Sequence, residues 1–287
     1  MTYIPKNPTS AVHNPTDMWG IPIGQWTPNH TTVINPNTVV TNLSIPTPTS
    51  NKLGEAFKPK RAGTKTSHVV FVLDDSGSMQ SERKATISGY NEYLRMQKKD
   101  AEETKIPTFI SLYKFDGMDV SCVFNRVPVN TVEDLNEKTY NPQGTTNLYD
   151  AIGGVMMQIN THLKEYKKAD RDSIIITILT DGHENASRTF DSQAVKQMVE
   201  KAEGKNWGFM FLGANIDAFA AGSNLGFNAS NTMQYSTDST ANTIRAASAM
   251  TSRMKSAYAS GTDTTIAYAS SGFTAAERTM AVTKDDK

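Results

Sequence analysis

The chain of 287 residues contains one cysteine, Cys122, and no excess of either charge. A single cysteine cannot form an internal disulfide, which fits a reducing compartment. With 29 basic and 29 acidic residues, the chain lacks the basic excess that a general nucleic-acid binder needs for phosphate contacts. No apolar run approaches membrane-spanning length, and the first residues lack the order of a signal peptide. These absences predict no nucleic-acid partner, no membrane insertion and no classical secretion.

Proline is scarce beyond residue 66, because nine of the twelve prolines lie in residues 1–66. Proline at this density blocks helices and central strands. Between Asn7 and Asn51 the one charged residue is Asp17, yet the segment contains Trp19 and Trp26. Disordered tails are usually highly charged and poor in aromatic residues. The composition therefore predicts an extended arm that docks on another surface.

An unbroken apolar run from Val69 to Leu73 predicts a strand that is buried on both faces. Asp74, Ser76 and Ser78 follow this run with the spacing D-x-S-x-S. In open α/β sheets, ligands bind at the carboxyl ends of the strands. Carboxylate and hydroxyl oxygens are ligands that suit Mg²⁺ or Mn²⁺ better than zinc. The stretch therefore predicts a divalent-cation site.

Apolar runs and helical patterns alternate along the rest of the chain. We predict strands at 108–115, 119–125, 173–180, 207–212 and 232–235, and helices at 81–99, 148–163, 190–202, 216–225 and 237–258. This alternation implies a doubly wound, mostly parallel sheet, with 119–125 as an antiparallel edge strand. The predicted units are an N-terminal arm over 1–66, a domain over 67–236, and a C-terminal helical extension and tail over 237–287. A capping-box spacing from Thr274 to Glu277 predicts one more short helix.

The D-x-S-x-S stretch resembles the first motif of the metal-ion-dependent adhesion site of von Willebrand factor type A domains. That family's second motif is a threonine in a Gly-rich turn before a helix, and Thr146 in Gly144-Thr145-Thr146 matches it. Its third motif is an aspartate after a later apolar strand, which Asp181 supplies. The three motifs occur in the family's order within residues 67–235. The resemblance implies a Rossmann-like, six-stranded sheet with one antiparallel edge strand.

The resemblance also implies how the metal would be held and used. A bound Mg²⁺ or Mn²⁺ would leave one position open for a carboxylate from an aspartate or glutamate of a partner protein. Thr145 competes with Thr146 for the ligand role, and the family pattern favours Thr146. Asp75, the variable position inside the first motif, is expected to face solvent or to lie behind the ligands. The implied metal residues are Asp74, Ser76, Ser78, Thr146 and Asp181.

The sequence leaves two other functions open. A Mg²⁺-dependent phosphatase resembling the haloacid dehalogenase group would use Asp74 as its nucleophile, but Ser76 stands where that group has its second aspartate. A cytoplasmic metal-dependent scaffold of a stress or defence complex is the other alternative. We predict a non-enzymatic adhesion or assembly module, located in the cytoplasm or in a virion. Its arm would anchor it in a homo- or hetero-oligomeric assembly such as a phage particle.

Overall fold

The computed structural model describes residues 66–164, 172–203, 205, 207–262, 266 and 270–283, so the predicted arm lies outside the described residues except for Thr66. The strands are β1 (Ser67–Asp74), β2 (Thr108–Phe115), β3 (Val120–Pro128), β4 (Ser173–Thr180), β5 (Trp207–Ala214) and β6 (Thr232–Tyr235). The helices are α1 (Arg83–Thr104), α2 (Leu148–Leu163), α3 (Ser192–Glu203), α4 (Ala218–Asn224), α5 (Thr240–Ala259) and α6 (Ala275–Met280). No helix in these ranges is long and apolar enough to span a membrane.

The six strands form one sheet with the order β3-β2-β1-β4-β5-β6. Every neighbouring pair is parallel except β2 with β3, which are antiparallel. The predicted mostly parallel sheet with an antiparallel edge strand is therefore confirmed. All eight residues of β1 are buried, because this strand lies in the middle of the sheet. The chain moves outward from β1 to β3 and then crosses to β4 on the other side of β1, which creates the switch point where such sheets bind ligands.

Helix α5 belongs to the same hydrophobic core as the sheet. Ile244, Met250 and Met254 are fully buried, and Tyr258 is 7% exposed. A Cβ atom at Gly89 in α1 would lie 2.9 Å from Ile244 Cδ1, so the two helices touch closely along this face. The core therefore continues beyond residue 236, where the sequence pattern placed the start of a C-terminal extension.

The predicted helix 81–99 and the predicted strand 119–125 both end later in the structure than their sequence patterns indicated. Helix α1 runs to Thr104 instead of residue 99, and Asp100 in this added part pairs with the buried Lys255 of α5. Strand β3 runs to Pro128 instead of residue 125, with a bulge at which Arg126 has a φ of 47°. An ion pair of 2.8 Å between Arg126 and Asp172 holds this strained residue in place. Sequence periodicity carries no information about such distant partners.

The helix boundaries elsewhere shift by a few residues. Residues 77–82 form a 3₁₀ turn, so α1 begins at Arg83 rather than residue 81. Helix α3 begins at 192, and α4 covers only 218–224 because the side chain of Asp217 caps it. Helix α5 begins at 240 after another 3₁₀ turn, and its N-cap residue Ser239 makes no side-chain capping hydrogen bond. The predicted capping box between Thr274 and Glu277 is present.

Candidate metal site

The sheet topology brings the three motifs to one edge. Strands β1 and β4 are parallel neighbours with Leu73 opposite Leu179, so Asp74 and Asp181 both lie at the carboxyl end of the pair. Thr146 lies in the loop that leads into α2. Its backbone carbonyl accepts hydrogen bonds from the Asn185 and Ala186 amides, at 3.0 and 3.1 Å. The loop after β4 therefore holds the second motif beside the third.

Hydrogen bonds link four of the five predicted residues to one another. The Ser78 hydroxyl donates to Asp181 Oδ1 at 2.5 Å, and Ser76 Oγ and Ser78 Oγ are 3.2 Å apart. Asp74 Oδ1 accepts from the Ser76 amide at 2.8 Å. A separate observation places Thr146 in the group.

Because Gly182 has no side chain, there is a small space beside it where side chains of the first and second motifs meet. A Cβ atom on this glycine would lie 3.1 Å from Thr146 Oγ1 and 3.6 Å from Ser78 Oγ. The two hydroxyls therefore point into the same small volume, which any larger residue at 182 would fill. The structure thus brings together all five residues that the sequence singled out.

The structure distinguishes Thr145 from Thr146. Thr146 is 3% exposed and faces Gly182, whereas Thr145 is exposed. The Thr145 hydroxyl lies so close to Gly117 that a Cβ atom there would be 1.5 Å away. Thr145 therefore packs on the turn between β2 and β3, and Thr146 is the residue positioned to serve as a ligand.

Replacing Thr146 and Thr145 in turn should separate a ligand from its neighbour. We expect Thr146→Ala to weaken Mg²⁺ binding by about tenfold or more, since even the loss of an outer-shell partner costs 10- to 100-fold. Thr145→Ala should bind Mg²⁺ like the wild type, and Thr146→Ser should recover most of the affinity. Calorimetric titration of the three variants measures this, and equal weakening by both alanine variants would contradict the assignment.

Three acidic side chains lie within electrostatic reach of one another at this edge. Burial raises the pKa of Asp74 to about 6, and the nearby charge of Asp181 adds to the shift. Burial also raises the pKa of Asp181. Burial raises the pKa of Glu82 to about 7, with further contributions from the other two carboxylates. A cation placed among these groups would offset both the burial and the mutual repulsion.

Two residues that sequence reasoning missed hold Asp74 in place. The Thr180 hydroxyl donates to Asp74 Oδ2 at 2.6 Å, and the Tyr140 hydroxyl donates to the Asp74 carbonyl at 2.7 Å. Thr180 could have been found as the last residue of the strand that precedes Asp181. Tyr140 lies in a loop with no local signal, so its role depends on the tertiary structure.

The loop after β4 positions the threonine motif through side chains that the sequence did not identify. Asn185 Oδ1 accepts from the Thr146 amide at 2.9 Å. Asp150, in the first turn of α2, accepts from the amides of residues 188–190 at 2.8–2.9 Å. Glu184 accepts from the Tyr149 amide at 3.0 Å. His183 is exposed on the same rim.

Asp75 does not face solvent. It is 9% exposed, and its Oδ2 atom lies 2.7 Å from Lys114 Nζ. Asp75 therefore lies behind the serines. This is the second of the two positions expected for it, the first being exposure to solvent. Asp116 is a turn residue, since its Oδ1 atom accepts from the amides of Met118 and Asp119 at 2.8 and 3.0 Å.

The donors at this edge fit a hard divalent cation. Three hydroxyls and two carboxylates converge, and Mg²⁺ and Mn²⁺ prefer oxygen ligands of this kind and keep several waters. Across the described ranges no three His, Cys, Asp or Glu side chains form a group that could hold a metal. Any cation at the Asp74 edge would therefore depend on hydroxyl oxygens as well as on carboxylates.

No protein-family model matches the chain. Human inter-alpha-trypsin inhibitor heavy chain H3 is 27% identical over 177 residues, which are 60% of this chain and 18% of that protein. The chain thus spans less than a fifth of the curated relatives that it matches.

Similar solved structures include the SpRpn10 VWA domain, with a TM-score of 0.41 and 9% identity over 60% of this chain and 87% of that one. Manganese-loaded Plasmodium vivax TRAP protein has a TM-score of 0.40 and 13% identity over 60% and 69% of the two chains. Because these scores are low, the assignment of the fold rests on the strand order and on the positions of the three motifs.

Proposed function

We propose that this chain, which has the von Willebrand factor type A fold, is a non-enzymatic protein-binding module that depends on a divalent metal. In this proposal the hydroxyls of Ser76, Ser78 and Thr146 hold Mg²⁺ or Mn²⁺, with Asp74 and Asp181 bound directly or through water. The metal supplies a Lewis-acidic centre that binds a carboxylate of the partner protein.

The observation that carries the proposal is the convergence of the three motifs on one small volume beside Gly182. Ser78 and Thr146 come from loops 68 residues apart in sequence, yet both of their hydroxyls face the position of the missing Cβ atom. Asp181, from a third segment, accepts a hydrogen bond from Ser78. Strand-end caps and turn residues would have no reason to point at a common centre.

The charge balance of the site supports the proposal that the metal binds a carboxylate of the partner. Asp74 and Asp181 are the only charged residues among the five donors, so their charge equals that of one divalent cation. Neutral hydroxyls leave the cation able to attract another anionic ligand. The amino-terminal end of α2 begins two residues after Thr146 and adds a partial positive charge to the same place.

Affinity capture with and without chelator tests the proposed function. The full chain should retain one or more proteins in Mg²⁺, lose them in EDTA, and recover them when Mg²⁺ is added back. An Asp74→Asn variant should retain none of these proteins in either buffer. The proposal is wrong if the captured proteins are the same with chelator, or if the variant retains them as well as the wild type.

The non-enzymatic part of the proposal is supported by the surroundings of Asp74. The phosphatase alternative needs an acid/base residue two positions after the nucleophile, and Ser76 occupies that position with 1% exposure. Asp74 itself already accepts hydrogen bonds from Ser76 and Thr180. We expect no turnover of a generic phosphoester in Mg²⁺. Hydrolysis that disappears in Asp74→Asn would favour the phosphatase.

Residues 1–66 are proposed to anchor the module in a larger assembly, such as a phage particle or a surface complex. The arm contains Trp19, Ile21, Ile23 and Trp26, and burying each such side chain is worth roughly 1.5–3 kcal/mol. About 60 extended residues reach well over 100 Å, which is far enough to contact a neighbouring subunit. The proposed location is the cytoplasm or a virion.

Deletion of residues 1–60 should separate assembly from metal binding. We expect the shortened chain to fold and to bind Mg²⁺ with unchanged affinity, because β1 begins at Ser67. In size-exclusion chromatography with the natural assembly, the full chain should co-elute with the assembly, whereas the shortened chain should elute separately as a smaller species. Loss of folding, or unchanged assembly, would contradict the anchor role.

A further inference from the structure

A cavity of about 280 Å³ opens at the end of the sheet opposite the candidate metal site. It lies between the last turn of α1, the beginning of β2 and the end of β3. Its apolar lining includes Ala101, Ile106, Pro107, Phe109 and Val129. Pro107 is exposed, and Ile106 and Phe109 are half-buried. An apolar cavity of about 150 Å³ is large enough to bind benzene, so this one has room for an aromatic ring and part of a second side chain.

The N-terminal part of the chain enters the domain at the rim of this cavity. The Ser67 amide donates to the Pro107 carbonyl at 3.0 Å, and Ser67 lies opposite Thr108 in the register of β1 and β2. Both Pro107 and Thr108 line the cavity. Thr66, the first described residue, is 6% exposed. The residues that precede Thr66 therefore start next to the opening.

The nearest aromatic residue upstream is close enough along the chain to reach this opening. Phe57 lies nine residues before Thr66 and is the only aromatic residue between Trp26 and Phe71. Nine residues span up to about 30 Å, which is enough to fold back onto the neighbouring residue Pro107. The effective concentration of a tethered group falls roughly with the −3/2 power of the tether length. Trp26, with a tether of 40 residues, is therefore at a disadvantage.

The charges on the two sides are complementary. Lys58, Lys60, Arg61 and Lys65 make the segment after Phe57 basic. The last turn of α1 carries the exposed Glu102 and Glu103, of which Glu103 also pairs with the exposed Lys99 at 3.7 Å. The carboxyl end of a helix adds a partial negative charge to this region. Lys105 is the one basic residue in the cavity lining.

We propose that residues 53–65 of the same chain fold back on the base of the domain, with Phe57 in the cavity and the basic run along the last turn of α1. This docking fixes the direction in which residues 1–52 leave the domain. It concerns the end of the sheet away from Asp74 and does not depend on metal binding.

Thiol labelling of the full chain tests the proposal. Cys122→Ala removes the native thiol, and Asn130→Cys places a single thiol at the exposed edge of the cavity lining. A docked segment should slow the reaction of this thiol with a maleimide. Adding Phe57→Ala should raise the labelling rate about tenfold, as local opening becomes more frequent, whereas the matched control Ile45→Ala should leave it unchanged. Circular dichroism and Mg²⁺ titration check that each variant is folded.

Two results would overturn the proposal. Equal labelling rates with and without Phe57→Ala would mean that Phe57 does not cover the cavity. Protection that disappears on dilution would mean that the segment belongs to a second copy of the chain. Protection that is independent of protein concentration and is lost only in Phe57→Ala supports docking within one chain.

Discussion

Truncation of the chain after residue 236 is expected to produce a protein that does not fold. The truncation removes Ile244, Met250, Met254 and Tyr258, which α5 buries against α1 and the sheet. Burial of each such side chain is worth roughly 1.5–3 kcal/mol, so the four together contribute roughly 6–12 kcal/mol. A whole domain is stable by only about 5–15 kcal/mol. The loss is therefore comparable to the entire stability of the domain.

Circular dichroism and thermal unfolding of the truncated chain measure this effect. A matched pair of single substitutions tests the contribution of α5 to stability on a smaller scale. Met254→Ala, at a fully buried site, should cost about 2–5 kcal/mol. Met280→Ala, where the side chain is 42% exposed, should change stability by no more than about 0.5 kcal/mol. A truncated chain that melts like the full chain would contradict the shared core.

Asp74→Asn is expected to abolish Mg²⁺ binding without destabilising the metal-free protein. Asp74 is fully buried, and burial raises its pKa from 3.8 to about 6. A carboxyl group with a raised pKa costs stability when it is ionised. This cost is absent below pH 3.8, grows as the pH rises, and is fully present above pH 6. Asparagine removes the charge, although it also gives up one of the two acceptor oxygens used by Ser76 and Thr180.

The measurement is the melting temperature of both proteins at pH 7 in EDTA and in Mg²⁺. In EDTA the variant should melt at the same temperature as the wild type or higher. Mg²⁺ at about 100 times its dissociation constant should stabilise the wild type by about 2.7 kcal/mol and leave the variant unchanged. A variant that loses stability in EDTA would indicate that Asp74 is mainly structural.

The sheet and the five donors could be predicted from the sequence because both depend on local signals. The run from Val69 to Leu73 is apolar at every position, so it predicts a buried strand whatever surrounds it. Asp74, Ser76 and Ser78 are close in sequence, and the other two donors follow an apolar run or precede a helix. Strand ends in a parallel sheet converge by topology, which makes their meeting predictable.

The remaining features depend on contacts between distant segments. The pattern of α5 indicates an apolar face but not the surface that the face contacts. Glu82 follows the serines in a stretch that looks like a solvated helix start, and its burial is set by Tyr235 and Thr240, whose hydroxyls donate to it. Asn185 resembles a loop residue until the Thr146 amide is placed beside it. Residues of this kind can be found only after the chain has been folded.

The central claim is that one divalent cation binds where the three motifs meet, and paramagnetic broadening by Mn²⁺ tests it most directly. In the full chain, small additions of Mn²⁺ should broaden the backbone amide signals of Ser76, Ser78, Thr146 and Gly182. The signals of Ala101 and Val129 should broaden far less, since the eight residues of β1 from Ser67 to Asp74 place the base of the sheet roughly 20 Å away. EDTA should restore every broadened signal. Broadening that is absent at these four amides, or strongest at another acidic group, would contradict the account.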